Sequence, residues 1–173
     1  MNNKILIVCI CFLLVLCGCN NNEQQFDAKI GEIQELKEST KEIPKFVMTI
    51  QGLKNVVVTE EDIKNIKLYD FIADVTAYDI DPDSDIYHEK WTGVKLSDVL
   101  NLKDIKEYDT LDFKATGNLT VRYKKDEIDD SIYLVFYRND VLLSETEETP
   151  IMLFAAKLKN RFWVPSLVRI EVM

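Results

Sequence analysis

Apolar and polar positions divide the chain into three stretches. An unbroken apolar run covers residues 5–16, a polar and charged stretch covers residues 20–42, and short apolar segments alternate with turns from Pro44 onward. The last stretch, at roughly 130 residues, has the size of one domain with one core. The pattern therefore predicts three parts, which are 1–18, 19–43 and a folded domain at 44–173.

The folded domain is predicted to be α+β, with mixed β-sheets and a few short helices. A helix is expected to begin at Thr59, whose hydroxyl can cap the first turn and which precedes three acidic residues. A second short helix is predicted at 96–100, and a tight hairpin turn at 116–118. Strands are predicted at 46–50, 71–77, 110–115, 119–123, 132–137, 151–154 and 167–172. Because strands outnumber helices and are partly consecutive, they favour the α+β class.

The polar stretch is predicted to be a tether, with or without a short helix. Its only apolar candidates for packing are Phe26, Ile30, Ile33 and Leu36, and the other residues of 20–42 are mostly polar or charged. Such a composition is typical of a linker that stays in water.

The N-terminal run has the features of a secretory signal. Lys4 precedes the apolar residues, and the run is shorter than the about 20 apolar residues that cross a bilayer. Leu16-Cys17-Gly18-Cys19 resembles the bacterial lipobox, although cysteine is a less usual small residue at position 17. The resemblance implies that Cys19 is lipidated and anchors the protein to the extracytoplasmic face of the cell membrane. The alternative is an ordinary cleaved signal with an incidental thiol at Cys19.

All the cysteines of the chain lie in this signal or at its end, at Cys9, Cys11, Cys17 and Cys19. The predicted domain therefore has no thiol for a disulfide, a metal or a nucleophile. His88 is the one histidine in the sequence. Together these counts exclude a zinc site built on several imidazoles or thiolates.

The charge of the chain is strongly negative. The formal net charge is -9, and removal of the signal takes away one lysine and no acid, which gives -10. Basic residues are interleaved with a larger number of acidic ones, so nucleic acid is not a predicted partner. The acids are expected to form a solvated surface, and the alternative is an acidic site for a cationic partner.

Several short motifs occur in an order that is typical of one family. They are Ile50-Gln51-Gly52 before Val58-Thr59-Glu60, Trp91-Thr92-Gly93-Val94-Lys95-Leu96, Thr149-Pro150 and Phe162-Trp163-Val164. Together they resemble the oxidoreductase molybdopterin-binding domain of the sulfite oxidase type, with Lys95 where proline is usual and Thr149 where glycine is usual. The resemblance implies that fold for most of the chain after Pro44.

Redox-active members of that family bind a molybdenum-pterin cofactor, whose metal is ligated by a cysteine from a loop after an early strand. By order along the chain, the loop corresponds to 76–79 and the residues that follow, where there is no cysteine. The aspartates there would repel an anionic cofactor. The resemblance therefore implies the fold without the cofactor, in a binding or interaction module for a small-molecule or protein partner. The alternative is a molybdopterin-dependent oxidoreductase whose protein supplies an oxygen ligand or none.

The aspartates of this loop also suggest a calcium site, because Ca²⁺ prefers several oxygen ligands. They are Asp79, Asp81, Asp83 and Asp85. The EF-hand pattern is incomplete, since the sixth position is Ser84 rather than glycine and the twelfth is Lys90 rather than glutamate. An exposed acidic turn around Pro82 is the favoured interpretation. A calcium-stabilised envelope or adhesion module is the alternative.

A candidate ligand-binding cleft is predicted from polar and aromatic residues near this loop and the closing motif. Its members are Tyr78, Asp79, His88, Trp91, Arg161 and Trp163. No catalytic residue is predicted, because the sequence places no serine to form a triad with His88. The alternatives are an exposed loop position for His88 and Arg161, and core positions for Trp91 and Trp163.

Overall fold

The computed structural model describes residues 33–52, 54–76, 86–156 and 163–173. Within these ranges the chain forms strands, two short α-helices and three 3₁₀ turns. The strands are β1 (Ile33–Glu38), β2 (Val47–Gln51), β3 (Val56–Thr59), β4 (Leu68–Thr76), β5 (Ile86–Lys95), β6 (Thr110–Ala115), β7 (Thr120–Lys124), β8 (Ile132–Arg138), β9 (Val141–Leu142), β10 (Met152–Ala155) and β11 (Leu167–Val172). The helices are α1 (Glu60–Ile63) and α2 (Leu96–Leu102), and the 3₁₀ turns are Thr116–Asn118, Lys125–Glu127 and Leu143–Glu145.

The strands form two sheets. Sheet A has the order β1-β4-β5-β8-β10, with β9 paired to β8, and its pairings are antiparallel. Sheet B has the order β3-β2-β11-β6-β7, in which β11 runs parallel to β2 and antiparallel to β6. Strands dominate and both helices are short, so the architecture is α+β as predicted.

One buried hydrophobic cluster contains side chains from both sheets. In sheet A, β8 is buried from Ile132 to Phe136, as expected for a central strand covered on both faces. The ring centroid of Phe71 lies 4.6 Å from that of Tyr133 and 5.1 Å from that of Phe154. Each such large side chain contributes about 1.5–3 kcal/mol of stability through burial. A continuous core thus joins early and late parts of the chain.

The predicted start of α1 and the predicted hairpin are both confirmed. The backbone N–H and the hydroxyl of Thr59 donate to the carboxylate of Asp62, at 2.8 and 2.9 Å. These bonds close the first turn of α1. Between β6 and β7, Gly117 has a φ of 72°, and Lys114 pairs with Thr120. A glycine adopts this left-handed conformation without strain.

The structure differs from the predicted tether at β1. Residues 33–38 form an edge strand that pairs antiparallel with β4, from Ile33 opposite Ala73 to Glu38 opposite Tyr69. Every residue of β1 after Ile33 is exposed, which explains why its sequence looks like a linker. Backbone hydrogen bonding to β4 overrides the local polar composition. The folded part therefore begins well before Pro44.

A second difference concerns residues 86–90, where no strand was predicted. They form the first half of β5, and this strand pairs with β4 from Ile86 opposite Thr76 to Val94 opposite Leu68. His88 therefore lies on a strand, opposite Asp74. The sequence gives little sign of a strand here, because Glu89 is the one buried side chain among residues 87–90 and it is charged.

Gly93 occupies a position where no larger residue fits. The pairing of β5 with β8 shifts register between Thr92 and Gly93. A Cβ atom on Gly93 would lie 2.4 Å from the carbonyl oxygen of Leu134 and 2.8 Å from the Cα of Val135. The glycine thus allows β8 to approach β5 closely at this bulge.

Residues 39–43, which we call the strap, connect β1 to β2 and are held against sheet A. The ammonium of Lys41 lies 2.6 Å from a carboxylate oxygen of Asp140 and donates to the hydroxyl of Thr92 at 2.9 Å. Asp140 belongs to the two-residue turn between β8 and β9, where Asn139 and Asp140 both have positive φ. The phenol of Tyr137 donates to the carbonyl of Glu42 at 2.8 Å. The strap is therefore part of the folded domain.

The signal, Cys19 and the tether up to residue 32 lie outside the described residues. Among the helices that the structure describes, none has both the length and the apolar character needed to span a bilayer.

Candidate functional site

A cleft of about 220 Å³ opens beside β4, β5, β8 and β10 of sheet A. Its lining residues are Val75, Glu89, Trp91, Arg138, Met152, Trp163 and Pro165. Val75 lies one residue before the end of β4, and Arg138 is the last residue of β8. Function is frequently located where strands end and loops begin, because loops vary over a fixed scaffold. We therefore take this cleft as the candidate functional site.

Two tryptophans form its aromatic wall. The rings of Trp91 and Trp163 meet nearly edge to face, with centroids 5.8 Å apart and planes at 83°. Phe154 lies behind Trp163 at a centroid distance of 4.3 Å. An antiparallel bridge between Leu153 and Val164 fixes the backbone next to Trp163. The wall is therefore part of the core and is held in place before any ligand arrives.

The two indole N–H groups differ in their partners. Trp163 donates to the carbonyl of Ala155 at 2.9 Å. The indole nitrogen of Trp91 is buried and has no hydrogen-bond partner within the described ranges. Buried N–H groups are normally paired, so the wall of the cleft retains one unused donor.

An ion pair supplies the polar side of the cleft. Arg138 donates through Nε and Nη2 to the two carboxylate oxygens of Glu89, at 3.0 and 2.5 Å. The pair forms because Arg138 lies opposite Trp91 in the register, and Glu89 is two residues earlier on the same face of β5. The guanidinium also lies over the ring of Trp91, 5.4 Å from its centroid. The side chains of Glu89 and Arg138 are 11% and 49% exposed, so the pair reaches solvent through Arg138.

This arrangement leaves hydrogen-bonding capacity on both partners. A guanidinium has five N–H groups, and the contacts with Glu89 use only those on Nε and one on Nη2. Carboxylate oxygens can each accept a further bond. The cleft thus combines apolar walls with a neutralised pair that can still donate and accept.

The structure does not bring His88 into this cleft. Successive side chains of a strand point to opposite faces, so His88 faces away from Glu89 and Trp91. Its Nδ1 lies 2.7 Å from a carboxylate oxygen of Asp74, and its side chain is 70% exposed. The exposed position that was the alternative for His88 matches this geometry, although on a strand.

Other predicted site residues cannot be compared. Tyr78, Asp79 and Arg161 lie outside the described residues, as do Asp81, Asp83, Asp85 and Cys19. Within the described part of the chain, no three of the His, Cys, Asp and Glu side chains are placed to hold a metal ion together.

Several residues that line the cleft were not predicted from the sequence. Arg138, Met152 and Pro165 reach it only through long-range pairing, because β5, β8, β10 and the segment before β11 are distant in sequence. One signal was present: Glu89 and Trp91 are two residues apart and share a face once the segment is assigned to a strand.

A larger groove of about 530 Å³ lies between the strap and α1. Its lining is mainly charged side chains, such as Glu38, Glu61 and Lys67. Those of Glu61, Lys64, Glu38 and Lys67 are at least 60% exposed. Such a groove is solvated surface, whereas the smaller cleft has the aromatic walls and convergent polar groups of a binding site.

The donor set of the cleft does not fit a molybdenum-pterin cofactor. The sequence after Cys19 contains no thiolate to ligate the metal. Among the described residues that line the cleft, Arg138 is the one cation, and its charge is offset by Glu89. An anionic pterin phosphate would therefore find no uncompensated positive charge among the lining residues.

Comparisons with known proteins show similarity at the level of the fold. No family model and no curated protein matches the chain. The crystal structure of the sulfane dehydrogenase SoxCD from Paracoccus pantotrophus is similar, with a TM-score of 0.62 and 19% identity over 73% of this chain. The chain covers 38% of that protein's chain. This likeness concerns the fold alone.

Proposed function

We propose that the protein is a lipid-anchored, extracytoplasmic binding protein that has a molybdopterin-oxidoreductase-type fold and works without the cofactor. The observation that carries the proposal is the cleft itself, in which two tryptophans lie beside the Glu89–Arg138 pair and the charges of the described lining residues balance. The absence of any cysteine after Cys19 in the sequence adds support. Binding of a small ligand is the function that this geometry serves best.

Metal analysis tests the cofactor part of the proposal. The protein is purified from a host that makes the molybdenum-pterin cofactor, beside a molybdenum enzyme from the same host as a positive control. We expect far less than stoichiometric molybdenum or tungsten and no pterin absorption in this protein. Stoichiometric metal with pterin would overturn the proposal and favour the oxidoreductase alternative.

The anchor is tested separately. Support for it comes from the apolar run and the lipobox-like Leu16-Cys17-Gly18-Cys19. We expect globomycin to cause an unprocessed precursor to accumulate, and Cys19→Ala to release protein into the medium. Normal processing in globomycin together with unchanged membrane retention of Cys19→Ala would contradict the anchor. Neither result would affect the cleft.

A further inference from the structure

The volume of the cleft limits its ligand to a small molecule. An apolar cavity of about 150 Å³ is large enough for benzene, and pockets for drug-sized ligands begin at about 300 Å³. At about 220 Å³, this cleft suits one ring that carries a short substituent.

The walls favour a flat, apolar body. Trp91 and Trp163 border the cleft with their rings at 83° to each other, and they are only 1% and 5% exposed, so a ligand contacts a small part of each ring. Met152, Val75 and Pro165 complete the apolar lining. A thioether adapts its shape to an aromatic edge. A planar ring therefore finds complementary contacts on several sides.

The polar side favours a neutral ligand over a charged one. An anion on Arg138 would have to share the guanidinium with Glu89 and would meet the carboxylate charge beside it. A cation on Glu89 would meet Arg138 in the same way. A neutral group with an adjacent donor and acceptor avoids both conflicts, because Glu89 can accept and the free N–H groups of Arg138 can donate.

Building on the proposed function, we propose that the cleft binds a neutral planar molecule that carries an amide-like edge. Its carbonyl oxygen accepts from the free edge of Arg138, its N–H donates to Glu89, and its ring lies against Trp91 and Trp163. The Glu89–Arg138 pair stays intact when the ligand binds, so no charge is left uncompensated.

Three probes of equal size test whether the cleft prefers a neutral ligand to a charged one. Benzamide, benzoate and benzamidine share one ring and differ in their net charge of zero, minus one and plus one. Binding is followed by quenching of intrinsic fluorescence, because Trp91 and Trp163 are the two tryptophans of the chain and both line the cleft. We expect benzamide to bind at least about tenfold more tightly than either charged probe. Tighter binding of benzoate or benzamidine, or no quenching by any probe, would overturn the inference.

Variants of two arginines supply the matched control. Arg138→Gln is expected to weaken benzamide binding by about tenfold, whereas Arg122→Gln, in a similar ion pair of sheet B away from the cleft, is expected to leave it unchanged. Arg138→Lys keeps the charge but loses the planar fork, so it should also lose the preference for benzamide if it folds normally. Equal effects of the Arg138 and Arg122 variants would contradict the inference.

The two proposals can fail separately. Bound molybdenum and pterin would remove the proposed function and this inference with it. Absence of metal combined with no probe binding would remove only the inference.

Discussion

Two arginine–carboxylate pairs, one in each sheet, have nearly the same local chemistry. In sheet A, Arg138 holds Glu89, and in sheet B, Arg122 holds Asp112 through Nε and Nη2 at 2.5 and 2.7 Å. The two carboxylate side chains are 11% and 8% exposed, and the two arginines are about half exposed. The Arg122 guanidinium lowers the pKa of Asp112 below its ordinary value, mainly through these hydrogen bonds. As ion pairs, the two differ little.

Their surroundings differ in ways that decide function. Asp112 and Arg122 are direct cross-strand partners on β6 and β7, next to the charged pair of Lys114 and Glu171. Arg138 instead lies over the ring of Trp91 and borders the cleft. A bidentate ion pair is thus not a site by itself, and the aromatic walls and the cavity beside Arg138 are what make the sheet A pair part of the candidate site.

The largest effect on the Glu89–Arg138 pair of sheet A is expected from a substitution that changes the backbone distance between β5 and β8. Gly93→Ala would force β5 away from β8 and disturb the register that brings Arg138 opposite Trp91. We expect a loss of about 3 kcal/mol or more in the free energy of unfolding, measured by urea denaturation. Gly117→Ala is the control: it lies in the hairpin of sheet B with open space around it, and should cost about 1 kcal/mol because of its positive φ. Equal losses would contradict the close-approach argument.

Substitutions of the two paired carboxylates, Glu89 and Asp112, distinguish an effect on stability from an effect on ligand binding. Glu89→Gln and Asp112→Asn should each lower Tm by a few degrees, because each removes the charge that a guanidinium holds. Only Glu89→Gln should change the ligand preference: Arg138 would then carry an uncompensated charge, and benzoate should bind more tightly than benzamide. Calorimetry and the fluorescence titration measure the two effects. If Glu89→Gln still prefers benzamide, the Glu89–Arg138 pair does not determine the preference for a neutral ligand.

The tryptophans refine the comparison within the cleft. Trp163→Phe leaves the carbonyl of Ala155 without its donor, whereas Trp91→Phe removes an N–H that has no partner among the described residues. Since both changes lose similar ring area, Trp163→Phe should cost about 1 kcal/mol more. Chemical denaturation of both variants checks the difference, and a larger loss for Trp91→Phe would contradict it.

The smallest expected effect concerns pH. Hydrogen bonds from Lys41 and Lys90 lower the pKa of Asp140 to about 2, from an ordinary value of 3.8. The unfolded chain therefore binds this proton more readily than the folded chain, and stability falls as pH drops from about 4 to about 2. Asp140→Asn should make this decline shallower, and stability measured across that window shows the change. An unchanged slope would mean that the strap is not held by this carboxylate.

Much of the fold could be predicted from the sequence, whereas the cleft could be predicted only in part. Apolar residues located β2, β6, β8 and β11 to within about a residue, because each strand has at least one buried face. The strand β1 was not predicted, because its side chains are mostly exposed and it joins the sheet through backbone pairing with β4. Trp91 and Trp163 border the cleft as buried core residues, and Arg138 enters it through a register shift that local patterns do not encode.

The position of β1 has a mechanical consequence if Cys19 is the anchor. A pull along the N-terminal segment would load β1 first, then the Lys41–Asp140 contact of the strap. Because β4 pairs with β1 on one side and with β5 on the other, β1 and the strap lie between that pull and the paired strands β4 and β5. With Cys19 as the anchor, the strand that looks like a linker in sequence would separate from β4 under tension before the strands that line the cleft come apart.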